Sequence, residues 1–374
     1  MKKTRLMRLL RLVSFALLLV LSLPQVSWAA YHGMIHDGWG DTMTKGIANI
    51  ANAQYDEGLV IFGEYIKAFP KEPAGYFFSA AAVKERMQKN NDLGDLDTFF
   101  KFADKVMAVC KNMLLQDVGN TVAKVYLGGM YGYLSMVEVK RGNLVSALFK
   151  GVDAKKNLEA ARKEDPDIPD TYFGLGMLYY FASLKSKKAG GFTGWIISNF
   201  ITHGKDMSQK GVELTQRAID MGSVGSDFAR GALIWMRLYQ KEFAKAKNLA
   251  EKMAERFLRD TSSRWVLGRV ALIDDDCASA RKWFEDIDTI IKKYSTPGTE
   301  YPDVDNALKM VRLCELVNEK RWSEVRALKK EINAWLDGKP KVAIEYQEKE
   351  NLIASWRKQI TKYDDTEIKS ISLR

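Results

Sequence analysis

Apolar residues at helical spacing, closed by a signature of small and aromatic residues, recur along this chain and constrain its fold more than any other feature. The clearest copy runs from a stripe at Ala154, Leu158, Ala161 and Pro166 to Tyr172, Leu175, Gly176 and Tyr179. A second joins Leu267, Gly268 and Ala271 to Ala280, Phe284 and Ile287, and a third stripe is Gly58, Phe62, Tyr65 and Pro70. A period of 3.6 puts each stripe on one helix face. Recurrence of the pattern predicts helical hairpins stacked as a solenoid, each burying the face that its neighbour would otherwise expose. Only 8 prolines occur in 374 residues and no segment alternates as a strand would, so the expected class is all-α. Breaks fall at Lys140-Arg141-Gly142-Asn143 and at Asp165-Pro166-Asp167, where Gly and Pro stop one helix and Asp or Asn can cap the next.

These residues resemble the tetratricopeptide repeat family, whose hairpins carry a Leu-Gly pair and a Tyr on the first helix and Ala, Phe and Ala on the second. Small residues at Gly128, Gly176, Gly268 and Ala280 let backbones approach, while Tyr131, Tyr179 and Phe284 fill the space around them. The resemblance covers about Thr42 to Trp335 and implies an α-α superhelix. From Leu127-Gly128 to Leu175-Gly176 the step exceeds the roughly 34 residues of an ordinary repeat by about two heptads. Both helices of that hairpin are therefore expected to be long together, which keeps the same faces inward. Long hairpins of this kind resemble secreted bacterial tetratricopeptide proteins of uncharacterised function and, more loosely, a mitochondrial outer-membrane family with elongated repeats. Ala343 to Tyr363, with Ile344, Leu352, Ile353, Trp356 and Ile360 on one side, is expected to close the solenoid as a capping helix.

Lys2, Lys3, Arg5, Arg8 and Arg11 precede an apolar run from Leu12 to Leu23, and Ser27 and Ala29 suit signal peptidase. Residues 1–29 are thus expected to be a signal peptide, since the run is well short of the roughly 20 residues that span a bilayer. With no cysteine at the junction, the expected location is periplasmic or secreted. Removing the five basic leader residues halves the formal charge of +10, and the remaining charges mix along helix faces, so nucleic acid is not an expected partner. Cys110, Cys277 and Cys314 are an odd, scattered set: no disulfide framework is expected, and Cys110 and Cys314 read as small buried hydrophobes. The expected divisions are an N-terminal segment 30–41, a repeat domain 42–340 with an insertion at 183–207, and a cap and tail at 341–374.

What the resemblance implies about binding is a concave groove lined by the first helices, at positions between those of the packing signature. That register selects Phe77, Lys84, Tyr133, Phe173, Met177, Tyr180, Trp265 and Arg269. Aromatic residues anchor interfaces, so a protein or peptide is the expected partner; the alternative is that long helices bury these rings as core. The insertion carries Lys185, Lys187 and Lys188, then Phe192, Trp195 and Phe200. It suits a docked helix, a lid over an apolar small molecule, or peripheral membrane contact.

Ala30-Tyr31-His32 at the expected mature terminus could wrap a square-planar metal through His32, a pattern so common that no metal or other cofactor is expected. Asp274, Asp275 and Asp276 read as a helix cap. With three histidines and no nucleophile elbow or phosphate loop, the expected function is a non-catalytic exported scaffold. The alternative is a periplasmic carrier of a small apolar or lipid-like ligand, with the insertion as its lid or membrane contact.

Overall fold

The turns between helices carry a repeat that the sequence hides. A computed structural model describes residues 33–89, 93–186, 191–294, 302–338 and 356–364. Its first hairpins are α1 (Gly40–Ala51) with α2 (Tyr55–Ala68), α3 (Ala74–Lys89) with α4 (Leu96–Gln116), and α5 (Thr121–Lys140) with α6 (Leu144–Glu164). Then α7 (Pro169–Ser186) is followed by the short α8 (Gly191–Ile196), a π-helical turn (Ile197–Thr202) and α9 (Ser208–Asp220). Beyond it lie α10 (Ser226–Tyr239) with α11 (Phe243–Arg256), α12 (Thr261–Ile273) with α13 (Cys277–Tyr294), and α14 (Pro302–Asn318) with α15 (Trp322–Gly338). Ala53, Gly142, Lys241, Asp275 and Lys320 each take a left-handed conformation after a first helix. In each turn the following residue donates its N–H back five positions, as Asn143 does to Glu138 and Glu242 to Arg237. This is one Schellman closure used after five first helices, and among those five residues only Gly142 is the type the conformation favours.

Asn120 caps α5 by accepting from the Ala123 amide at 2.9 Å, and Asp260 caps α12 through Ser262 and Ser263. Asp276 does the same for α13, accepting from Ser279 at 3.0 Å, and these bonds lower its pKa. The capping role expected of the acidic run is thus met by one of its three members. The long hairpin is also present, with α5 at 20 residues and α6 at 21 against 14 each for α10 and α11.

Each first helix contacts the first helix of the next hairpin, so α3, α5, α7, α10 and α12 form an inner layer buried nearly all round. In α3, Ala80, Ala81, Ala82 and Val83 are consecutive and fully buried; in α12 the run is Val266 to Leu272. Second helices keep one wet face. At the crossing of α7 and α9, a Cβ on Gly176 would stand 2.4 Å from Thr215 Oγ1 and one on Gly211 would stand 2.7 Å from the Gly176 carbonyl. Nothing larger than glycine fits there. This is the α-α superhelix of antiparallel hairpins that the tetratricopeptide resemblance implies.

The superhelix closes on itself, because α1 also contacts α10 and its Ala48 and Ala51 pack against the core of α10 to α12. Asn52 accepts the Arg259 amide at 2.9 Å, and the Arg259 guanidinium lies 3.7 Å from Glu57 and over the Tyr294 ring. At the far end the helix at 356–364 buries Trp356, Ile360 and Tyr363 on α12 to α15, and the Gln359 amide donates to the Leu272 carbonyl at 3.0 Å. The described part of the expected capping segment packs on the end of the stack; Ile344, Leu352 and Ile353 lie outside the described residues, as do residues 1–29.

The expectation for the cysteines is overturned. Cys277 and Cys314 form a disulfide between α13 and α14, with Cα atoms 5.8 Å apart. Their separation of 37 residues concealed the pair, because only the hairpin packing brings the two helix faces together. Arg281 grips Glu315 beside it through two bonds of 2.7 and 2.8 Å, holding the carboxylate below its ordinary value. Cys110 is a buried free thiol, pushed up to about 12 by desolvation.

Lys241→Gly is expected to stabilise the fold by about 0.5–1 kcal/mol by relieving the left-handed strain, and Gly142→Ala to destabilise it by about 1 kcal/mol; thermal denaturation of both variants checks the pair. Peptide mass analysis without reductant should find Cys277 linked to Cys314. Cys314→Ala should lower the melting temperature, by up to about 4 kcal/mol of lost stability from the chain-entropy relation for a loop of this length.

Candidate functional site

The inner face is built on α5, where Val122, Tyr126, Gly129 and Tyr133 follow one another at helical spacing on one side. Gly129 is the socket for a ring from α3, since a Cβ there would stand 2.9 Å from Phe77. Seated in it, the Phe77 ring lies 5.2 Å from Tyr126, 5.2 Å from Tyr133 and 5.4 Å from Phe78. The Lys84 ammonium sits 5.5 Å over the Tyr133 ring and 2.7 Å from Glu85. Burial, then the Glu85 and Asp170 charges, push the Tyr133 phenol up and keep it neutral.

The rim of this face lies at the starts of the first helices. There Phe173 is half-buried against Gly225, and Asp170 binds the turn before α10. Its carboxylate accepts from Ser223 Oγ at 2.8 Å and from the amides of Val224 and Gly225 at 3.3 Å. Burial raises the Asp170 pKa against the opposing pull of those three bonds.

The N-terminal residues 33–39 meet the same rim without forming a helix. Tyr126 donates its hydroxyl proton to the Met34 carbonyl at 2.5 Å, and Met34 and Ile35 are buried in the core shared by α1 to α5. The His36 amide donates to Tyr65 Oη at 2.9 Å, its ring stacks on Phe69 at 3.9 Å, and its Nδ1 lies 2.7 Å from Glu72. Tyr65 also donates to Glu72. Trp39 sets its ring edge-on to Tyr65 and Phe69.

Of the residues the sequence selects for the groove, the structure joins Phe77, Lys84 and Tyr133 into one cluster with both rings half-buried. It buries Lys84, Tyr180 and Arg269, which corrects their assignment as groove-lining contacts. Tyr180 donates to the Met236 carbonyl at 3.1 Å, and half-buried Met177 packs beside it with Val212 and Leu233. Arg269 borders a cavity of only about 10 Å³ with Leu272, Met310 and Trp356, room for one water at most. Half-buried Trp265 packs on Phe284, 5.3 Å away. The alternative of rings buried as core therefore holds for part of the register. Tyr126, Gly129 and the arm escaped sequence reasoning; the spacing from Val122 to Tyr133 marks the first two, and nothing local marks Met34.

The insertion docks by one face. Ile196, Ile197 and Ile201 are buried, with Ile201 3.6 Å from where a Cβ of Gly151 would stand. Lys155, buried on α6, donates to the Phe200 carbonyl at 3.0 Å and lies 2.7 Å from His203 Nε2. Outward, Trp195 and Phe200 are 53% and 47% exposed with their rings at 5.6 Å. The Phe192 side chain lies outside the described residues, as does His32. The cleft beside Trp195, about 570 Å³, is open and lined largely by polar residues such as Ser186, Ser198, Asn199, Thr202 and Lys205. A lid closing on an apolar ligand would need a sealed apolar pocket there.

No protein-family model matches the chain, and no curated protein does. A solved structure that is similar to it is that of a thermophilic TPR protein in Thermus thermophilus: 17% identical, covering 62% of this chain and 96% of that one, with a TM-score of 0.36.

Trp195→Ala should change stability by no more than about 0.5 kcal/mol. Ile197→Ala should cost about 2–4 kcal/mol. Comparable losses of melting temperature in both variants would contradict the one-faced docking.

Proposed function

We propose that the chain is an exported, non-catalytic scaffold that holds a segment of a protein partner against the inner face of its superhelix. The observation that carries this reading is the half-buried stack of Phe77 on Tyr133, seated on Gly129, with half-buried Phe173 on the first helix α7. Rings that are immobilised before binding lose little entropy on contact, and large rigid aromatic groups supply most of the energy at protein interfaces. The pairs of polar groups on the inner face are committed to structure: Lys84 to Glu85 and the Tyr133 ring, and Asp170 to Ser223 and two amides. Export is supported by the basic and apolar leader in the sequence and by the Cys277–Cys314 pair, since disulfides persist in oxidising compartments.

A photo-crosslinking residue placed at Phe173 in cells of the source organism is expected to trap a discrete protein partner. The same residue at Val60, exposed on the outer helix α2, should trap none. Equal products from both positions, or none from 173, would count against the inner face as the binding surface. Mass analysis of the recovered chain is expected to show a start at Ala30, and an intact Met1 would count against export.

A further inference from the structure

We infer that residues 33–39 are a built-in occupant of the inner face, so that a partner segment gains its place by displacing this arm. The inference rests on the reading of that face as a binding surface and says what kind of segment it takes. Val122, Tyr126 and Tyr133 lie on one side of α5, and the arm covers the first half of that row. A Cβ at Gly33 would stand 3.6 Å from Val122, and the Met34 carbonyl takes the Tyr126 hydroxyl proton. The ring that bridges Tyr126 to the half-buried Tyr133 is Phe77. The occupied and open parts of the face are therefore continuous through one aromatic side chain.

The arm is held as a bound peptide is held. Tyr126 and Tyr65 contact its main chain through their hydroxyl groups, and Met34 and Ile35 supply two adjacent buried apolar side chains. It belongs to no helix, and its main-chain conformation turns at Gly33 and Gly38, both with positive φ. Segments that lack helical hydrogen bonds open at lower free energy than the packed elements behind them. Burial keeps the Tyr126 phenol neutral over the working pH range, so it stays a donor. The competing segment is accordingly a stretch of polypeptide with two neighbouring apolar side chains and an accepting carbonyl at the position of Met34.

The test uses the mature chain with Met34→Asp and Ile35→Asp, which place carboxylates where the arm must bury apolar groups. The probe is a fluorescein-labelled peptide with the sequence of residues 33–40, followed by anisotropy. The double variant is expected to bind the probe at least tenfold more tightly than the unaltered chain, and adding Tyr126→Phe is expected to weaken that binding severalfold. A folded double variant that binds no better than the unaltered chain overturns the inference. If the double variant does not fold, hydrogen exchange in the unaltered chain decides: slow exchange of the His36 amide, held by Tyr65, supports a docked arm, and exchange at the rate of an open peptide overturns it. Crosslinking at Phe173 is read independently of the probe. A partner trapped there while the probe fails would remove the arm and leave the scaffold; the reverse would remove the scaffold.

Discussion

Arg259 donates its backbone N–H to Asn52 across 207 residues of sequence, and that meeting of the α11–α12 corner with the α1–α2 corner closes the superhelix. The dimensions of the inner face depend on it. With α1 against α10, the five first helices α1, α3, α5, α7 and α10 follow one another round a common axis. On that face the Phe77 ring packs on both Tyr126 and Tyr133. Tyr180 is buried by the local packing of α9 and α10 on α7, through Val212, Leu233 and the Met236 carbonyl.

Closure is possible because small residues stand where helices cross. Gly176 against Gly211, and Gly129 under Phe77, let backbones and rings approach to distances that a single methyl group would forbid. Polar groups at the joints are arranged to match: Asp170 holds the turn before α10, and Asp227 accepts from Arg230 and Arg256 at 2.9 and 2.8 Å. The second half is stapled differently, by the Cys277–Cys314 bond, the Arg281–Glu315 fork and the final helix lying across α12 and α14.

The insertion shows how one segment can serve packing and contact together. Its three isoleucines and the Lys155 bond to the Phe200 carbonyl hold it to α6 and α7, while Trp195 and Phe200 stay in solvent. Of the three readings open to it, the docked helix describes its buried side. Its exposed pair is a compact aromatic surface set apart from the inner face.

Sequence alone determined the class and the layout of helices. Apolar stripes such as Ala154, Leu158 and Ala161, the turn at Gly142, the length of α5 with α6 and the cap at Trp356 and Ile360 all follow from local spacing, and local spacing sets which helix face is buried. Tertiary structure decided the rest. Lys241 and Asp275 hold left-handed turns that their residue types do not announce, because the packed helices on either side impose the angle. Cys277 meets Cys314, and Met34 meets Tyr126, only after hairpins distant in sequence have been stacked. Whether an aromatic side chain on a first helix faces a partner, a neighbour or the chain's own arm depends on how tightly the superhelix curls. That curl is a sum of small crossing angles over many hairpins, and no single stripe of residues records it.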